Sequence, residues 1–186
     1  LPAVLATYLY RDITIEDIRQ GLLTFIPGES LTPGRLNFFH FKNYTFLADF
    51  AHNPHGLRLL CDFVSKLDYK TKVGVISGTG DRRDEDIREL GEISAQYFDE
   101  IIIRCDKNLR GRTAEEIIQL LKEGIEKVNP KVPTKVIANE NEALEYIYAN
   151  PKLGALYTIM CDVVAGALDK IRELKEREDK QVAFSH

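Results

Sequence analysis

The 186-residue chain is short of the residues and motifs that several function classes need. It has three cysteines, Cys61, Cys105 and Cys161, and no C-x-x-C pair. That excludes a zinc knuckle and a dithiol redox motif, and an odd number of widely spaced thiols makes no disulfide framework. The cysteines read as reduced thiols of a cytoplasmic protein. No apolar run approaches the roughly 18 residues of a membrane span; the longest, such as Ile101-Ile102-Ile103, are strand-sized. An excess of positive charge is also missing. Lys and Arg total 25 against 29 Asp and Glu, for a formal charge of −4, which argues against a general nucleic-acid binder. Neither G-x-x-x-x-G-K-[ST], H-E-x-x-H nor G-x-S-x-G occurs, so the chain carries no phosphate-binding P-loop of its own. No metal-ligand set stands out. The chain begins at Leu1 in an apolar segment with no basic signal region, and is expected to be a piece of a longer protein.

What is present is an ordinary globular composition, 44% hydrophobic and 29% charged, enough for one core. Residues 1–10 are apolar and short. Thr14 is placed to cap a helix, with Asp17 three residues on. Pro27-Gly28 and Thr32-Pro33-Gly34 then form a breaker-rich linker. Residues 35–42, a turn at Lys42-Asn43 and a buried run to Phe50 predict an antiparallel hairpin. From there strands and helices alternate. Strands are expected at 45–50, 72–77, 100–104, 134–137 and 156–160. Helices are expected at 54–66, 84–97, 114–127, 140–149 and 163–178, with fraying after Asp179. The strands are nearly continuous in apolar character, as parallel strands covered on both faces are. The fold class is therefore α/β: a Rossmann-like, open, mostly parallel sheet with helices on both faces and an N-terminal antiparallel hairpin.

Ligands of such sheets bind beyond the carboxyl ends of the strands. Asp49 closes a buried strand and needs a partner. Asn53 precedes Pro54 and reads as an N-cap. His52 either binds a ligand or orders a loop. Gly78-x-Gly80 allows a turn close to a ligand, ahead of a helix N-terminus that favours anions; with Arg at 83 it is only part of a dinucleotide fingerprint. Asp81-Arg82-Arg83-Asp84-Glu85-Asp86 reads as a solvated helix start, whose two arginines suit an acidic ligand or a fixed ion pair. Asp106, Arg110 and Arg112 share the next loop. Arginine there suits a carboxylate or phosphate, Asp106 suits a cation, and a surface ion pair accounts for both more plainly.

These residues resemble a known family. Thr32-Pro33-Gly34-Arg35, followed by Leu47-Ala48-Asp49-Phe50-Ala51-His52-Asn53-Pro54, is similar to the C-terminal domain of the Mur ligases, which join amino acids to a carboxylate using ATP. The family pattern is P-G-R, a short strand pair, then a strand closing on D-Y-A-H-N-P. Val75 to Asp86, with Asp106 and Arg110-Gly111-Arg112, is closer to the branch that adds arginine to aspartate side chains of a polymer than to the peptidoglycan enzymes. Those that add a diamino acid carry D-N-P-R where this chain lacks the proline. The resemblance covers about residues 32–175. Residues 1–26, including Ile15 to Leu22, resemble the last helices of the family's central ATPase domain.

The resemblance implies a division of the chain. Residues 1–26 would be a helical remnant of the central domain, 27–34 a linker and hinge for domain closure, 35–180 the C-terminal domain, and 181–186 a tail. It implies ATP and Mg²⁺, held mainly by a central domain that lies almost wholly outside this chain, so that these residues alone are expected to be inactive. Arg35 would reach the ATP phosphates, Asp49 the ribose, and His52 and Asn53 the nucleotide side of the cleft. Gly80, Asp81, Arg82, Asp106, Arg110 and Arg112 are expected on the substrate side. The expected partners are ATP, an incoming amino acid (arginine), an aspartate-containing acceptor polymer and the rest of the parent ligase, with no nucleic acid or membrane. A peptidoglycan-type or folate-type ligase, or a catalytically silent interaction module of the same fold, are the alternatives.

Overall fold

The computed structural model describes residues 4, 7–10, 12–25 and 28–183. Part of the apolar opening segment, Pro27 of the expected linker and the end of the expected tail lie outside them. Helix α1 (Ile15–Thr24) opens with a capping box. Thr14 accepts from the Asp17 N–H, and the Asp17 side chain reaches back to the Thr14 N–H. None of its residues is buried among those described.

Strands β1 (Asn37–His40) and β2 (Tyr44–Asp49) form the expected antiparallel hairpin, with Asn37 opposite Ala48. The first strand starts at Asn37 rather than Arg35. Gly34 and Leu36 both have left-handed backbones (φ 70° and 48°), which no strand accommodates. The strand–helix alternation then follows: α2 (Pro54–Ser65), β3 (Thr71–Ile76), α3 (Asp84–Tyr97), β4 (Glu100–Cys105), α4 (Ala114–Val128), β5 (Thr134–Asn139), α5 (Glu140–Ala149), β6 (Ala155–Met160) and α6 (Val164–Ala183). Helix α6 continues past Asp179 without fraying among the described residues. Lys175 pairs with Glu178 and Asp179, and Tyr148 on α5 hydrogen-bonds Gln181 at 3.3 Å.

The six strands form one sheet in the order β1-β2-β6-β3-β4-β5, parallel except for the first pair. Successive side chains of a strand point to opposite faces, and both faces are covered along β2, β3, β4 and β6, while the edge strand β5, expected to be covered too, is largely exposed. Leu47, Ile101 and Ile103 pack with Leu57 and Leu60 of α2, Ile87 and Leu90 of α3, and Ile117 and Leu121 of α4. Phe46, Ala48 and Ile102 pack on the other face with Leu144 and Ile147 of α5 and Leu168 and Ile171 of α6. This accounts for continuous apolar runs in place of alternation. Helices α3 and α4 touch through glycines: a Cβ on Gly91 would lie 2.2 Å from the Leu121 carbonyl oxygen, and one on Gly124 2.0 Å from that of Arg88.

Candidate functional site

The sheet order makes β2, β6, β3 and β4 neighbours, so the segments leaving their carboxyl ends converge. Phe50 and His52 come from the first, Met160, Cys161 and Asp162 from the second, Ser77 and Thr79 from the third, and Arg104, Asp106 and Arg110 from the fourth. Together they line a pocket of about 40 Å³.

Asp49 lies behind this pocket and is buried. Its Oδ2 accepts from the Leu36 N–H at 3.0 Å, and its carbonyl oxygen accepts from the Cys161 N–H at 2.8 Å. Burial pushes its carboxyl above the ordinary 3.8, while the Leu36 N–H and the Arg35 charge pull it down. The same carboxylate thus fastens the turn that carries Arg35. That turn is held further by Asn37, whose Oδ1 accepts from the Gly34 N–H at 2.6 Å and whose amide donates to the Thr32 and Arg35 carbonyls at 3.1 Å. Arg35 itself is exposed, 5.8 Å from the Phe50 ring centre. Its guanidinium has no carboxylate partner among the described residues, and it is free to meet an anion. His52 is ordered by Nδ1 against the Phe50 carbonyl at 3.0 Å, which leaves Nε2 for a ligand. Asn53 is the N-cap of α2, its Oδ1 taken by the Gly56 N–H at 2.8 Å.

On the substrate side the expected residues divide. Asp106 and Arg110 line the pocket with His52. Asp81 pairs with Arg110 at 2.6 Å across the loop tips, where both side chains are about half exposed (47% and 49%); that contact lowers the Asp81 carboxyl pKa. Gly80 and Arg112 serve structure. A Cβ on Gly80 would lie 1.9 Å from the Leu109 carbonyl oxygen, so the crossing of a second loop requires glycine here. Gly78 is likewise hemmed in: a Cβ there would lie 2.9 Å from Ile117 Cγ2. Arg112 donates to the Gly80 and Arg82 carbonyls at 2.9 and 3.0 Å and pairs with Asp84 at 2.7 Å, bracing the two loops. Arg83 is the fixed ion pair, with Asp86 at 2.8 Å. Arg82 lies outside the pocket lining and has no carboxylate partner among the described residues; its Nε is buried and unpartnered.

Four contributors are not in the expected set: Arg104, Ser77, Glu140 and Asp162. Arg104 is 1% exposed. Its terminal nitrogens donate to Asp106 Oδ1 and to the Met160 carbonyl, and lie 3.2 Å from Glu140. Ser77 Oγ donates to the same Asp106 oxygen at 2.6 Å. Glu140 Oε2 accepts from the Asp162 N–H at 2.9 Å, and Asp162 Oδ2 from the Lys107 N–H at 2.8 Å. Burial raises the Glu140 carboxyl pKa, with Arg104 pulling it back. The sequence signal was an arginine inside an otherwise isoleucine strand, where a charge requires internal partners. All three cysteines are buried and free, and burial pushes the Cys161 thiol to about 12, which makes it a poor nucleophile.

Among the described residues no three His, Cys, Asp or Glu side chains are grouped to hold a metal ion, and no helix is long and apolar enough to cross a membrane. Of the residues expected on the nucleotide side, Arg35 is the one whose charge suits an anion.

The family model described as the glutamate ligase domain of Mur ligases matches residues 34–161. The chain is 41% identical over 174 residues to a cyanophycin synthetase of Geminocystis herdmanii, covering 93% of this chain and 20% of that protein. It thus spans about a fifth of the length of the curated relatives it matches. Among solved structures, a UDP-N-acetylmuramoyl-L-alanyl-D-glutamate–2,6-diaminopimelate ligase superposes with a TM-score of 0.68 over 95% of this chain and 37% of that one, at 16% identity. A folylpolyglutamate synthase of Mycobacterium tuberculosis, complexed with ADP and AMPPCP, gives 0.62 over 86% and 35%, at 21% identity. At such identities these two show the fold, which is the Rossmann-like α/β one.

Proposed function

The chain belongs to the Mur ligase family, whose glutamate ligase domain it carries, and from that premise we propose that it is the amino-acid-presenting domain of a cytoplasmic, ATP-dependent, amide-forming ligase of the cyanophycin synthetase kind. The observation that carries this reading is the convergence of the Asp49–Pro54 segment with the Ser77, Asp106 and Arg110 segments on one pocket, in a chain so similar to a cyanophycin synthetase.

When bound, ATP supplies the phosphoryl group that turns an acceptor carboxylate into an acyl phosphate, from which an amine displaces phosphate through a tetrahedral intermediate. The residues of this chain bind and orient. Arg35, carried on the turn that Asp49 fastens, offers its guanidinium to the phosphates. His52 Nε2 faces the same cleft, on the nucleotide side. Asp106 and Asp162 attract the cationic side chain of the incoming amino acid. Arg110 exchanges its half-exposed partner Asp81 for the substrate's carboxylate, an exchange an exposed pair resists little. Held this way, amine and acyl phosphate react at high effective concentration. Residues 1–26 act as the edge of the central domain and 27–34 as the hinge that closes the cleft.

The test is ADP release by the complete enzyme given ATP, Mg²⁺, an aspartate–arginine primer and free arginine. Release that needs both primer and arginine supports the reading. Release only with a nucleotide-sugar peptide or a folate as acceptor replaces it by a peptidoglycan-type or folate-type ligase. No nucleotide binding by the complete protein replaces it by a silent module. The 186 residues alone should release no ADP, since they include no P-loop.

A further inference from the structure

Arg104 is costly where it stands. It follows three isoleucines in β4 and is 1% exposed, a place where an apolar side chain of similar volume is often the more stable choice. Its Nε, moreover, is buried without a partner, so the fold does not fully satisfy the group. Every group its terminal nitrogens do reach lies at the carboxyl edge of the sheet: Asp106 after β4, the Met160 carbonyl at the end of β6, and Glu140 after β5. The arrangement at Asp106 is one-sided. Both Arg104 and Ser77 donate to Oδ1. Oδ2 takes no hydrogen bond from any described residue, and Asp106 lines the pocket.

We infer that Arg104 is a positioning residue for the incoming amino acid: together with Ser77 it locks Asp106 by one oxygen, so that the other is presented to a cationic substrate in the pocket. The inference rests on the proposed function for the nature of that substrate. It adds a residue that never touches substrate and acts through Asp106. Pre-orientation matters here because a carboxylate free to rotate would have to be ordered at the cost of binding, and a displacement of about 1 Å at a reacting group can cost ~10²-fold in rate.

The experiment compares the complete enzyme with three variants, Arg104→Lys, Glu140→Gln and Arg104→Met/Glu140→Gln. The double variant removes one positive and one negative charge together, so it avoids a buried carboxylate pair left without its cation. Expected are a folded double variant whose KM for arginine rises by about tenfold or more, a KM for ATP that moves less than about twofold, partial rescue in Arg104→Lys, and a smaller rise in Glu140→Gln than in the double variant. A folded double variant with an unchanged arginine KM overturns the inference. So do equal rises in both KM values, which would mark a general loss of structure. If the double variant does not fold, Arg104→Lys is read for the same split. Should the wild-type enzyme release no ADP with arginine, the proposed substrate fails and the inference is judged by crystallography of the complete Arg104→Met/Glu140→Gln enzyme. An Asp106 carboxylate turned away from Ser77 supports it, and an unmoved one refutes it.

Discussion

Gly80 and Leu109 meet where the loop after β3 passes under the loop after β4, so closely that a Cβ on the glycine would stand 1.9 Å from the leucine carbonyl oxygen. A backbone oxygen cannot swing aside as a flexible side chain can. Gly80→Ala should therefore part the two loops, cost about 1–3 kcal/mol in urea unfolding and raise the KM for the amino acid. Gly111→Ala is the control. Its strain comes from φ 92° alone, with nothing within 4 Å, so it should cost about 1 kcal/mol and spare the KM. Equal KM effects would refute the crossing as the cause.

The glycine pair between α3 and α4 makes a second steric prediction. Gly91→Ala and Gly124→Ala each drive a methyl group into the backbone of the facing helix. Each should lower stability by about 1–3 kcal/mol. The double variant should cost less than the sum, because one separation of the helices relieves both clashes. Strict additivity in urea melts would count against a shared contact.

Asp49 makes stability depend on pH in a defined direction. Its carboxyl pKa is raised by burial in the folded chain, so the native state holds the proton more tightly than the unfolded one. The stability the group contributes is complete below the unfolded value of 3.8 and is lost as pH climbs through the raised one. Asp49→Asn keeps an oxygen for the Leu36 N–H and abolishes the titration. Urea midpoints of the two proteins should lie close together in acid and separate above it, with the variant the more stable. A wild type that gains on the variant as pH rises would contradict this. In the complete enzyme, Asp49→Ala should leave a folded protein with turnover severely reduced, because the Arg35 turn loses its fastening.

The two arginines of the loop after β4 should separate stability from activity. Arg112 braces two carbonyls and Asp84, and Arg112→Ala should lower stability by about 1–3 kcal/mol. Arg110 holds only the exposed Asp81 carboxylate. Arg110→Ala should leave the melting temperature unchanged while weakening use of the incoming amino acid. A lowered melting temperature for Arg110→Ala would reassign it to the scaffold.

The elements were readable because their signals are local. Thr14 with Asp17 and Asn53 with Pro54 announce helix starts, and both caps are present. Isoleucine-rich runs announce strands covered on both faces. Leu36 was not readable as a break, since its left-handed backbone goes with a hydrogen bond from its N–H to the distant Asp49 carboxylate rather than with a leucine's own preference. The loops after β3 and β4 were legible as polar and close to the site, yet the work each residue does there was not. Gly78 and Gly80 read as room for a ligand, and what a Cβ there would meet is neighbouring protein: Ile117 and Ile87 at Gly78, the Leu109 carbonyl at Gly80. The part Arg104 plays was not legible, because nothing in a one-dimensional string brings Met160 and Glu140 to its side.

The order of strands in the sheet also sets an order in time. Strand β6 lies between β2 and β3, although it is the last of the six in the sequence. Without residues 155–160, β2 and β3 have no strand between them, since β6 is the strand with which both pair. Closing the gap seats Leu156, Tyr157 and Ile159 in the core and brings Cys161 onto the Asp49 carbonyl. The pocket therefore comes into being only with that last insertion, and a nascent or truncated chain ending before β6 should be aggregation-prone and unable to bind.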